Sequence, residues 1–211
     1  MGKALKVVMA RNAESFSFYY QENLDCWERE GSVTFFDPET DVPDLSDCDL
    51  LYLPGGYPEK HLEVLVAMES TRQRIRDYAE RGGHIVAECG GMMYLCQSIV
   101  TDEGEYPMCG VLPYKITARQ SDRKLSLGYR RFTLDGKEYR GHEFHYTQFL
   151  GDAPSSIVQV YNAKGEPVPT PVFKYRNVLA SYTHLYNISF SFMDFSTRLE
   201  ALSNGSLWSS K

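Results

Sequence analysis

The chain has 211 residues, of which 43% are hydrophobic and 13% aromatic, and its formal net charge is -6. This length and composition predict one α/β domain over residues 1–211 with an ample core. The sequence has no Lys/Arg block, no apolar run long enough to cross a bilayer and no signal-peptide pattern, so we expect no nucleic-acid partner and no membrane partner. Five cysteines without C-x-x-C spacing favour reduced thiols and a cytoplasmic location.

Short apolar runs alternate with helical patterns in the first half of the chain, which is typical of an α/β fold. The first predicted helix ends at Gly31, a residue that favours helix termination. The predicted strands are 6–10, 32–36, 49–53 and 85–87, and the predicted helices are 19–30, 60–68 and 71–81.

The pattern changes after Gly110 to short β segments separated by Gly, Asp and Pro turns, so the second half is predicted to be β-rich. Asp135-Gly136 predicts a hairpin turn, because this dipeptide tolerates the left-handed backbone of a tight turn. The predicted β segments are 110–117, 129–134, 138–140, 142–149, 158–162 and 173–183, and a short helix is predicted over 191–202. Periodicity does not give the order of these strands in a sheet.

Residues 84–95, HIVAECGGMMYL, contain the most informative turn in the chain. A buried strand is followed by Cys89, then by Gly90 and Gly91, then by an apolar run suited to a helix. Such a turn presents a thiol at the carboxyl edge of a sheet, where the free N–H groups and dipole of the next helix favour a thiolate. The same pattern also fits a buried, inert cysteine beside a glycine turn.

A second pair of glycines, Gly55 and Gly56, follows the predicted strand 49–53 almost directly. Paired glycines let backbone N–H groups approach a ligand closely, although a simple turn is the commoner explanation. In a parallel sheet both glycine loops would open at the same edge, where α/β proteins bind their ligands. Together the loops predict an oxyanion site formed by N–H groups from near Gly56 and from Gly90.

A thiol nucleophile needs a base, and the chain has five histidines. His184 follows a predicted strand just as Cys89 follows its own, so we expect His184 to hydrogen-bond Cys89 and lower the pKa of the thiol. A structural histidine at a strand end is the alternative. His142 and His145 are predicted on opposite faces of a strand, and their spacing is not H-E-x-x-H, so no metal site is predicted.

Six segments, in the same order, resemble the glutaminase domain of the cobyrinic acid a,c-diamide synthase family, in the cobyric/cobyrinic group of class I glutamine amidotransferases. These segments are SFSFYYQENL (15–24), LYLPGGYPE (51–59), GGHIVAECGGMMYL (82–95), GYR (128–130), GHEFHYT (141–147) and ASYTHLY (180–186). The resemblance implies a flavodoxin-like class I glutaminase fold, with a central, mostly parallel sheet flanked by helices.

The resemblance also implies that Cys89 attacks the side-chain amide of L-glutamine and that His184 raises the nucleophilicity of the thiol. By analogy, segment 141–147 helps to bind glutamine, with Tyr146 nearest and His145 beside it. Ammonia would pass to a synthetase domain or subunit that uses ATP and Mg to a,c-diamidate cobyrinic acid in cobalamin biosynthesis. Because these residues include no G-x-x-x-x-G-K-[ST] loop, we expect no cofactor in this chain and only the glutaminase half-reaction.

Two positions depart from the pattern of many class I glutaminases. Tyr186 stands where those proteins have Glu two residues after the histidine, so we expect a Cys-His dyad with no assigned third member. Glu88 precedes the cysteine and would raise the thiol pKa if its side chain faced the sulfur. Alternatives are a glutaminase domain of a nickel-sirohydrochlorin or cobyric acid amidase, another cysteine hydrolase, or a non-catalytic module that docks on a synthetase. A homodimer is an open option for the assembly.

Overall fold

The computed structural model describes residues 4–186 of the chain, which form four α-helices and fifteen β-strands. The helices are α1 Gln21–Glu30, α2 Leu62–Ala67, α3 Glu69–Glu80 and α4 Gly90–Leu95. The strands are β1 Leu5–Ala10, β2 Gly31–Phe36, β3 Leu50–Leu53, β4 Ile85–Glu88, β5 Ser98–Val100, β6 Glu105–Pro107, β7 Lys115–Thr117, β8 Ser126–Leu134, β9 Lys137–His145, β10 Gln148–Phe149, β11 Val160–Tyr161, β12 Pro167–Val168, β13 Val172–Tyr175, β14 Val178–Ser181 and β15 His184–Tyr186. The helix predicted over 191–202 lies outside the described residues.

A six-stranded sheet in the order β13-β14-β4-β3-β1-β2 forms the centre of the molecule. Five of these strands run parallel, and β13 pairs antiparallel with β14 at one edge. Every residue of β3, β4 and β14 is buried, which explains why their sequences are short unbroken runs with little alternation. The predicted central, mostly parallel sheet is therefore confirmed.

The two faces of this sheet are covered by different elements, because consecutive strand residues point to opposite faces. On one face, Leu51 and Ile85 pack into a cluster with side chains of α2, α3 and α4. On the other face, Tyr52 and Val86 pack with Trp27 of α1 and with side chains of β8 and β9. Helices thus flank the sheet as predicted, but a second layer of strands shares one face with α1.

That second layer belongs to a five-stranded sheet in the order β12-β11-β8-β9-β15, and a separate four-stranded sheet has the order β10-β7-β5-β6. The β8–β9 hairpin turns at Asp135 and Gly136, whose φ angles of 52° and 74° are those a two-residue hairpin turn requires. The predicted hairpin and the β-rich second half are confirmed. Strands β5, β6, β12 and β15 are additions that the sequence did not indicate.

The predicted strand 173–183 is wrong. The chain turns at Arg176, which takes a positive φ of 51°, and forms an antiparallel hairpin of β13 and β14. His184 then begins β15, which pairs with β9 in the five-stranded sheet. Because Ser181 of β14 lies beside Glu88 of β4, the residues that follow these two parallel strands still emerge at one edge. None of the helices within residues 4–186 has the length and apolar character needed to span a bilayer.

Candidate functional site

Cys89 stands at the turn between β4 and α4, with φ 47° and ψ -110°. A positive φ is rare for a residue with a side chain, so the surrounding structure must hold this conformation. The Cys89 N–H donates to the carbonyl of Ser181 at 2.8 Å, and its carbonyl accepts from the Met93 N–H at 2.9 Å. A Cβ on Gly91 would lie 2.1 Å from the carbonyl oxygen of Leu53, so only glycine fits there. The predicted strand-turn-helix around Cys89 is confirmed.

The backbones of the two glycine loops lie against each other beside this turn. A Cβ on Gly90 would lie 2.8 Å from the carbonyl oxygen of Gly56 and 3.1 Å from its nitrogen. Gly56 has a φ of 148°, and a Cβ there would lie 2.3 Å from the carbonyl oxygen of Ser15. The N–H groups of Gly55 and Tyr57 donate to backbone carbonyls, whereas the Gly56 N–H has no acceptor in the described part of the chain. The Gly56 N–H, without an acceptor among these residues, is therefore held next to the cysteine turn.

A pocket of about 320 Å³ opens beside the thiol. Its size is at the lower end of the range for small-molecule sites. It is lined by Ser17, Phe18, Gly56, Tyr57, Cys89, His142, Phe144 and His184. The fold thus brings together three residues predicted from separate parts of the sequence, which are Cys89, Gly56 and His184.

His184 is 3% exposed and packs between aromatic and glycine neighbours. The ring of Phe18 meets the imidazole edge to face, with centroids 4.4 Å apart, and a Cβ on Gly55 would lie 2.1 Å from His184 Cε1. The pKa of His184 is lowered to about 3, mainly by burial and to a smaller extent by positive charge on His142 and His145. The imidazole is therefore neutral near pH 7 and able to accept a proton.

The predicted hydrogen bond between Cys89 and His184 is not formed. The thiol instead points at the carbonyl of Phe144, with 3.9 Å between Sγ and the oxygen. Burial raises the pKa of the Cys89 thiol above its ordinary value, the charge of Glu59 raises it further, and the Gly90 N–H lowers it. The predicted lowering of the thiol pKa is therefore wrong for this structure, because the desolvation of the sulfur outweighs the single N–H that favours a thiolate.

Glu88 precedes the nucleophile candidate but is held by other partners. Its Oε1 accepts from the Tyr52 hydroxyl at 3.1 Å, and its Oε2 accepts from the Leu185 N–H at 3.2 Å. Burial raises the pKa of Glu88 to about 8. Its charge is the smallest of the named contributions to the raised pKa of Cys89. Glu88 therefore acts mainly as a buried link between β4 and β15.

The two residues predicted to bind glutamine do not line the pocket. His145 is buried, with its Nε2 2.6 Å from Glu143 Oε1, its Nδ1 2.7 Å from the Thr147 carbonyl oxygen and its ring stacked on Tyr182. Tyr146 is 38% exposed and lies beside the pocket residue Phe144 through a ring contact. The assignment of His145 and Tyr146 to substrate binding stays a prediction.

The predicted segment 141–147 does reach the pocket, but through His142 and Phe144. Burial alternates along β9, so His142 and His145 face opposite sides, as predicted. Two features together identify His142 and Phe144 as pocket residues. They lie on the same face of β9, and His142 pairs with His184. Within residues 4–186, no group of three or more His, Cys, Asp or Glu side chains could hold a metal ion.

Glu59 is a further residue that sequence reasoning missed. It belongs to a single 3-10 turn, Pro58–Lys60, directly after the second glycine loop. Burial raises the pKa of Glu59, and its Oε2 has no hydrogen-bond partner in the described part of the chain. Because its charge also acts on the Cys89 thiol, Glu59 lies in the electrostatic environment of the pocket.

Comparison with known proteins identifies the family. The family model described as the CobB/CobQ-like glutamine amidotransferase domain matches residues 6–192. Hydrogenobyrinate a,c-diamide synthase from Rhizobium meliloti (strain 1021) is 36% identical over 192 residues, which cover 87% of this chain and 44% of that protein. Cobyrinate a,c-diamide synthase from Thermoplasma acidophilum is 35% identical over 195 residues, which cover 87% and 43%. The chain spans less than half the length of these curated relatives.

A solved structure supports the fold independently. A glutamine amidotransferase from Thermotoga maritima aligns with 98% of this chain and 84% of its own, with a TM-score of 0.57 and 15% identity. This likeness, together with the mostly parallel central sheet, confirms the predicted class I glutaminase fold. The family model matches residues 6–192, which is most of the chain. The chain therefore belongs to the CobB/CobQ-like glutamine amidotransferase family.

Proposed function

We propose that this chain hydrolyses glutamine with Cys89 as nucleophile and His184 as base, and that it supplies the ammonia to a synthetase that forms cobyrinic acid a,c-diamide. The observation that carries this proposal is that Cys89, His184 and Gly56 line the same pocket. The strained backbone of Cys89 supports it, because such strain persists mainly where a function uses it.

The first step is the attack of sulfur on the side-chain amide carbon of glutamine. The neutral imidazole of His184 takes the thiol proton, and a C–S bond forms while the carbonyl oxygen becomes an oxyanion. The N–H groups of Gly56 and Gly90 are the donors available to that oxyanion. One well-placed donor of this kind is typically worth ~3 kcal/mol of transition-state stabilisation.

In the second step, the imidazolium of His184 gives its proton to the departing nitrogen, the C–N bond breaks and ammonia leaves. A thioester between Cys89 and the glutamyl group remains. His184 then removes a proton from water, which attacks the thioester carbon and releases glutamate. The thiol is restored, so atoms and charge balance over the cycle.

The identity of the amidated product is inferred from the names of the relatives. The two most informative relatives are named as a,c-diamide synthases of cobyrinate and hydrogenobyrinate, and this chain matches less than half of each. The remaining part of such a protein is where we place ATP, Mg and the corrinoid.

A non-catalytic docking module is the competing function. The absent Cys89–His184 hydrogen bond and the raised thiol pKa favour it, because both describe a thiol at rest. The positive φ of Cys89 and the Gly56 N–H, which has no acceptor within residues 4–186, favour the glutaminase instead, since neither is needed for docking.

Cys89→Ala distinguishes these functions. We expect glutamine hydrolysis to fall by about 10³-fold or more, because removal of a catalytic nucleophile leaves little activity. A diazo-ketone analogue of glutamine should add one equivalent of mass to wild type, on the peptide that contains Cys89, and none to the variant. Cys48→Ala is the matched control, because Cys48 is partly exposed and lies outside the pocket. Ammonia release that is unchanged in Cys89→Ala, measured with the synthetase present, would refute the nucleophile.

A further inference from the structure

Segment 12–18, which follows β1, determines how the peptide group that carries the Gly56 N–H is turned. The Phe18 N–H donates to the carbonyl of Gly55 at 3.0 Å, and this carbonyl belongs to the same peptide group as the Gly56 N–H. In a trans peptide the N–H points away from the C=O, and residues 4–186 contain no cis peptide. The contact with Phe18 therefore directs the Gly56 N–H away from segment 12–18.

The next peptide group is fixed in the same way. The Tyr57 N–H donates to the carbonyl of Glu14 at 3.1 Å, so the carbonyl of Gly56, in the same peptide group, points to the other side. There it lies near Gly90, where an added Cβ would be 2.8 Å from it. Between the two peptide groups, a Cβ on Gly56 would lie 2.3 Å from the carbonyl oxygen of Ser15. Segment 12–18 thus holds two successive peptide groups of the glycine loop.

Asn12 holds segment 12–18 in shape. Its Oδ1 accepts from the N–H groups of Glu14 at 3.2 Å and Phe16 at 2.9 Å. Its Nδ2 donates to Ser15 Oγ at 2.5 Å and to Glu39 Oε2 at 2.8 Å. One side chain therefore organises the segment and ties it to the loop that follows β2.

Glu39 extends this connection to a third loop. Strands β1, β2 and β3 are parallel neighbours, so the loops that follow them emerge at one edge of the sheet. Glu39 Oε1 lies 2.8 Å from Nδ1 of His61, at the end of the loop that follows β3. The Glu39 side chain is only 18% exposed, so water screens this contact less than it would screen a surface ion pair. Asn12 and Glu39 together join all three loops.

We propose that Asn12 and Glu39 are positioning residues for the oxyanion donor. They fix segment 12–18, and this segment keeps the Gly56 N–H available to the oxyanion. The inference rests on the proposed function and adds two residues to it. Rotation of the Gly55–Gly56 peptide group by half a turn would place a carbonyl oxygen where the donor stands, and that oxygen would repel the oxyanion. Neither Asn12 nor Glu39 lines the pocket, so both act through the loops.

The first test is Asn12→Ala, with Asn162→Ala as the matched control. Asn162 has a similar set of contacts in the turn between β11 and β12, away from the pocket. Its Nδ2 donates to Glu166 Oε2 at 2.8 Å, and its Oδ1 accepts from the N–H groups of Lys164 at 2.9 Å and Glu166 at 3.0 Å. Two rates are compared: glutamine hydrolysis with the synthetase present, and alkylation of Cys89 by iodoacetamide, which forms no oxyanion.

In Asn12→Ala we expect kcat for glutamine to fall at least about tenfold, because complete loss of one oxyanion donor costs roughly 10²–10³ in kcat. KM should stay within about twofold, since the lost interaction belongs to the transition state. The alkylation rate should match wild type, and Asn162→Ala should match wild type in both rates. An unchanged kcat in Asn12→Ala would overturn the proposal. A kcat and an alkylation rate that fall together would also overturn it, because they would show a general distortion of the site.

A second pair of variants keeps the test decisive if Asn12→Ala does not fold. Glu39→Gln retains an acceptor for Asn12 Nδ2, whereas Glu39→Ala retains none. We expect kcat to decrease from wild type to Glu39→Gln and further to Glu39→Ala, with unchanged alkylation of Cys89. Thermal melts establish that each variant is folded. Equal kcat in wild type and both variants would overturn the proposal.

Hydrogen exchange tests the anchoring of segment 12–18 without any chemistry. The N–H groups of Phe18 and Tyr57 should exchange at least about tenfold faster in Asn12→Ala than in wild type, because local opening becomes easier when the anchor is removed. In Asn162→Ala they should exchange at the wild-type rate. Unchanged exchange in Asn12→Ala would overturn the anchoring. A wild type that hydrolyses no glutamine would instead refute the proposed function, so the two failures are distinguished.

Discussion

At the scale of single residues, burial acts in opposite directions on the two groups proposed to do the chemistry. It raises the pKa of the Cys89 thiol and lowers the pKa of His184 to about 3. Burial penalises the charged form of each group, so both are neutral near pH 7. Transfer of the thiol proton to the imidazole therefore costs free energy. Because of this cost, we expect glutamine hydrolysis by this chain alone to be slow.

The first prediction concerns the pH dependence of glutamine hydrolysis. Because burial keeps the thiol and His184 both neutral and the proposed attack moves the thiol proton to His184, the reacting form neither gains nor loses a proton between about pH 5 and pH 9, and kcat/KM should be flat over this range. His184 adds no further limb in this range, since its pKa of about 3 leaves it already neutral. The measurement is kcat/KM against pH, with circular dichroism at each pH to verify folding.

The same experiment has a clear opposite outcome. A kcat/KM that rises about tenfold per pH unit from pH 7 to pH 9 would mean that the thiol loses its proton to the solvent before attack, and it would contradict His184 as the base. The alkylation rate of Cys89 by iodoacetamide should be equally flat, because the thiolate that is alkylated forms by the same proton transfer to His184.

The sequence was sufficient to predict Cys89, His184 and Gly56 as neighbours, since all three follow strands that end at one sheet edge. For segment 141–147 the family resemblance indicated Tyr146 and His145, which stay a prediction, and the sequence alone did not indicate that His142 and Phe144 line the pocket. Which face of β9 meets the pocket depends on its pairing with β8 and β15, and that register is set by partners far away in the chain. The direction of the thiol pKa shift was equally hidden, because it depends on burial.

At the scale of elements, Glu88 joins the two sheets that make the pocket. It ends β4, and it accepts from the N–H of Leu185, the residue after His184 in β15. Asn23 of α1 donates to the carbonyl of the same Leu185 at 2.7 Å. The peptide that carries the base is thus held on both sides by buried side chains, so Glu88 is a positioning residue for His184.

The second prediction uses the raised pKa of Glu88. A carboxyl with a folded pKa of about 8 and an ordinary value of 4.5 binds a proton more tightly in the folded state. Its contribution to stability is complete below the ordinary value and is lost as pH rises toward 8. Glu88→Gln removes this loss, so the stability of the variant relative to wild type should increase between pH 5 and pH 8. Urea denaturation at several pH values measures it.

Glu88→Leu is the matched control, because leucine has a similar size and no acceptor. It leaves the Leu185 N–H buried without a partner, which typically costs about 1–3 kcal/mol. We expect Glu88→Gln to keep kcat for glutamine and Glu88→Leu to lower kcat more than it changes KM. Equal kcat values in the two variants would show that Glu88 does not position His184.

The elements that the sequence missed share a physical reason. Strands β5, β6, β12 and β15 have two or three residues each, too few for alternation to appear. The β13–β14 hairpin was predicted as one strand because its two-residue turn, Arg176-Asn177, contains no Gly, and the positive φ falls on Arg176, a residue type that rarely adopts it. The longer elements β1, β3, β4, α1 and α3 were predicted within a few residues.

At the scale of the whole molecule, the pocket lies between two sheets. Cys89 comes from the end of β4 in the central sheet, while His142, Phe144 and His184 come from the five-stranded sheet. This arrangement could not be predicted from the sequence, because the order of the short second-half strands is set by long-range pairing. A substrate in the pocket contacts both sheets at once and should resist their separation.

The last prediction follows from this position. Glutamine should raise the melting temperature of Cys89→Ala, which binds but cannot turn over substrate. A ligand that binds the folded state alone adds ~2.7 kcal/mol at a concentration of 100 Kd, and this corresponds to roughly 5–10 °C for a chain of this size. Asparagine, one methylene shorter, is the control and should shift the melting temperature much less, because its amide would not reach the thiol position from the same anchor. An equal shift with both amino acids would show that the ligands do not bind across the two sheets in the proposed way.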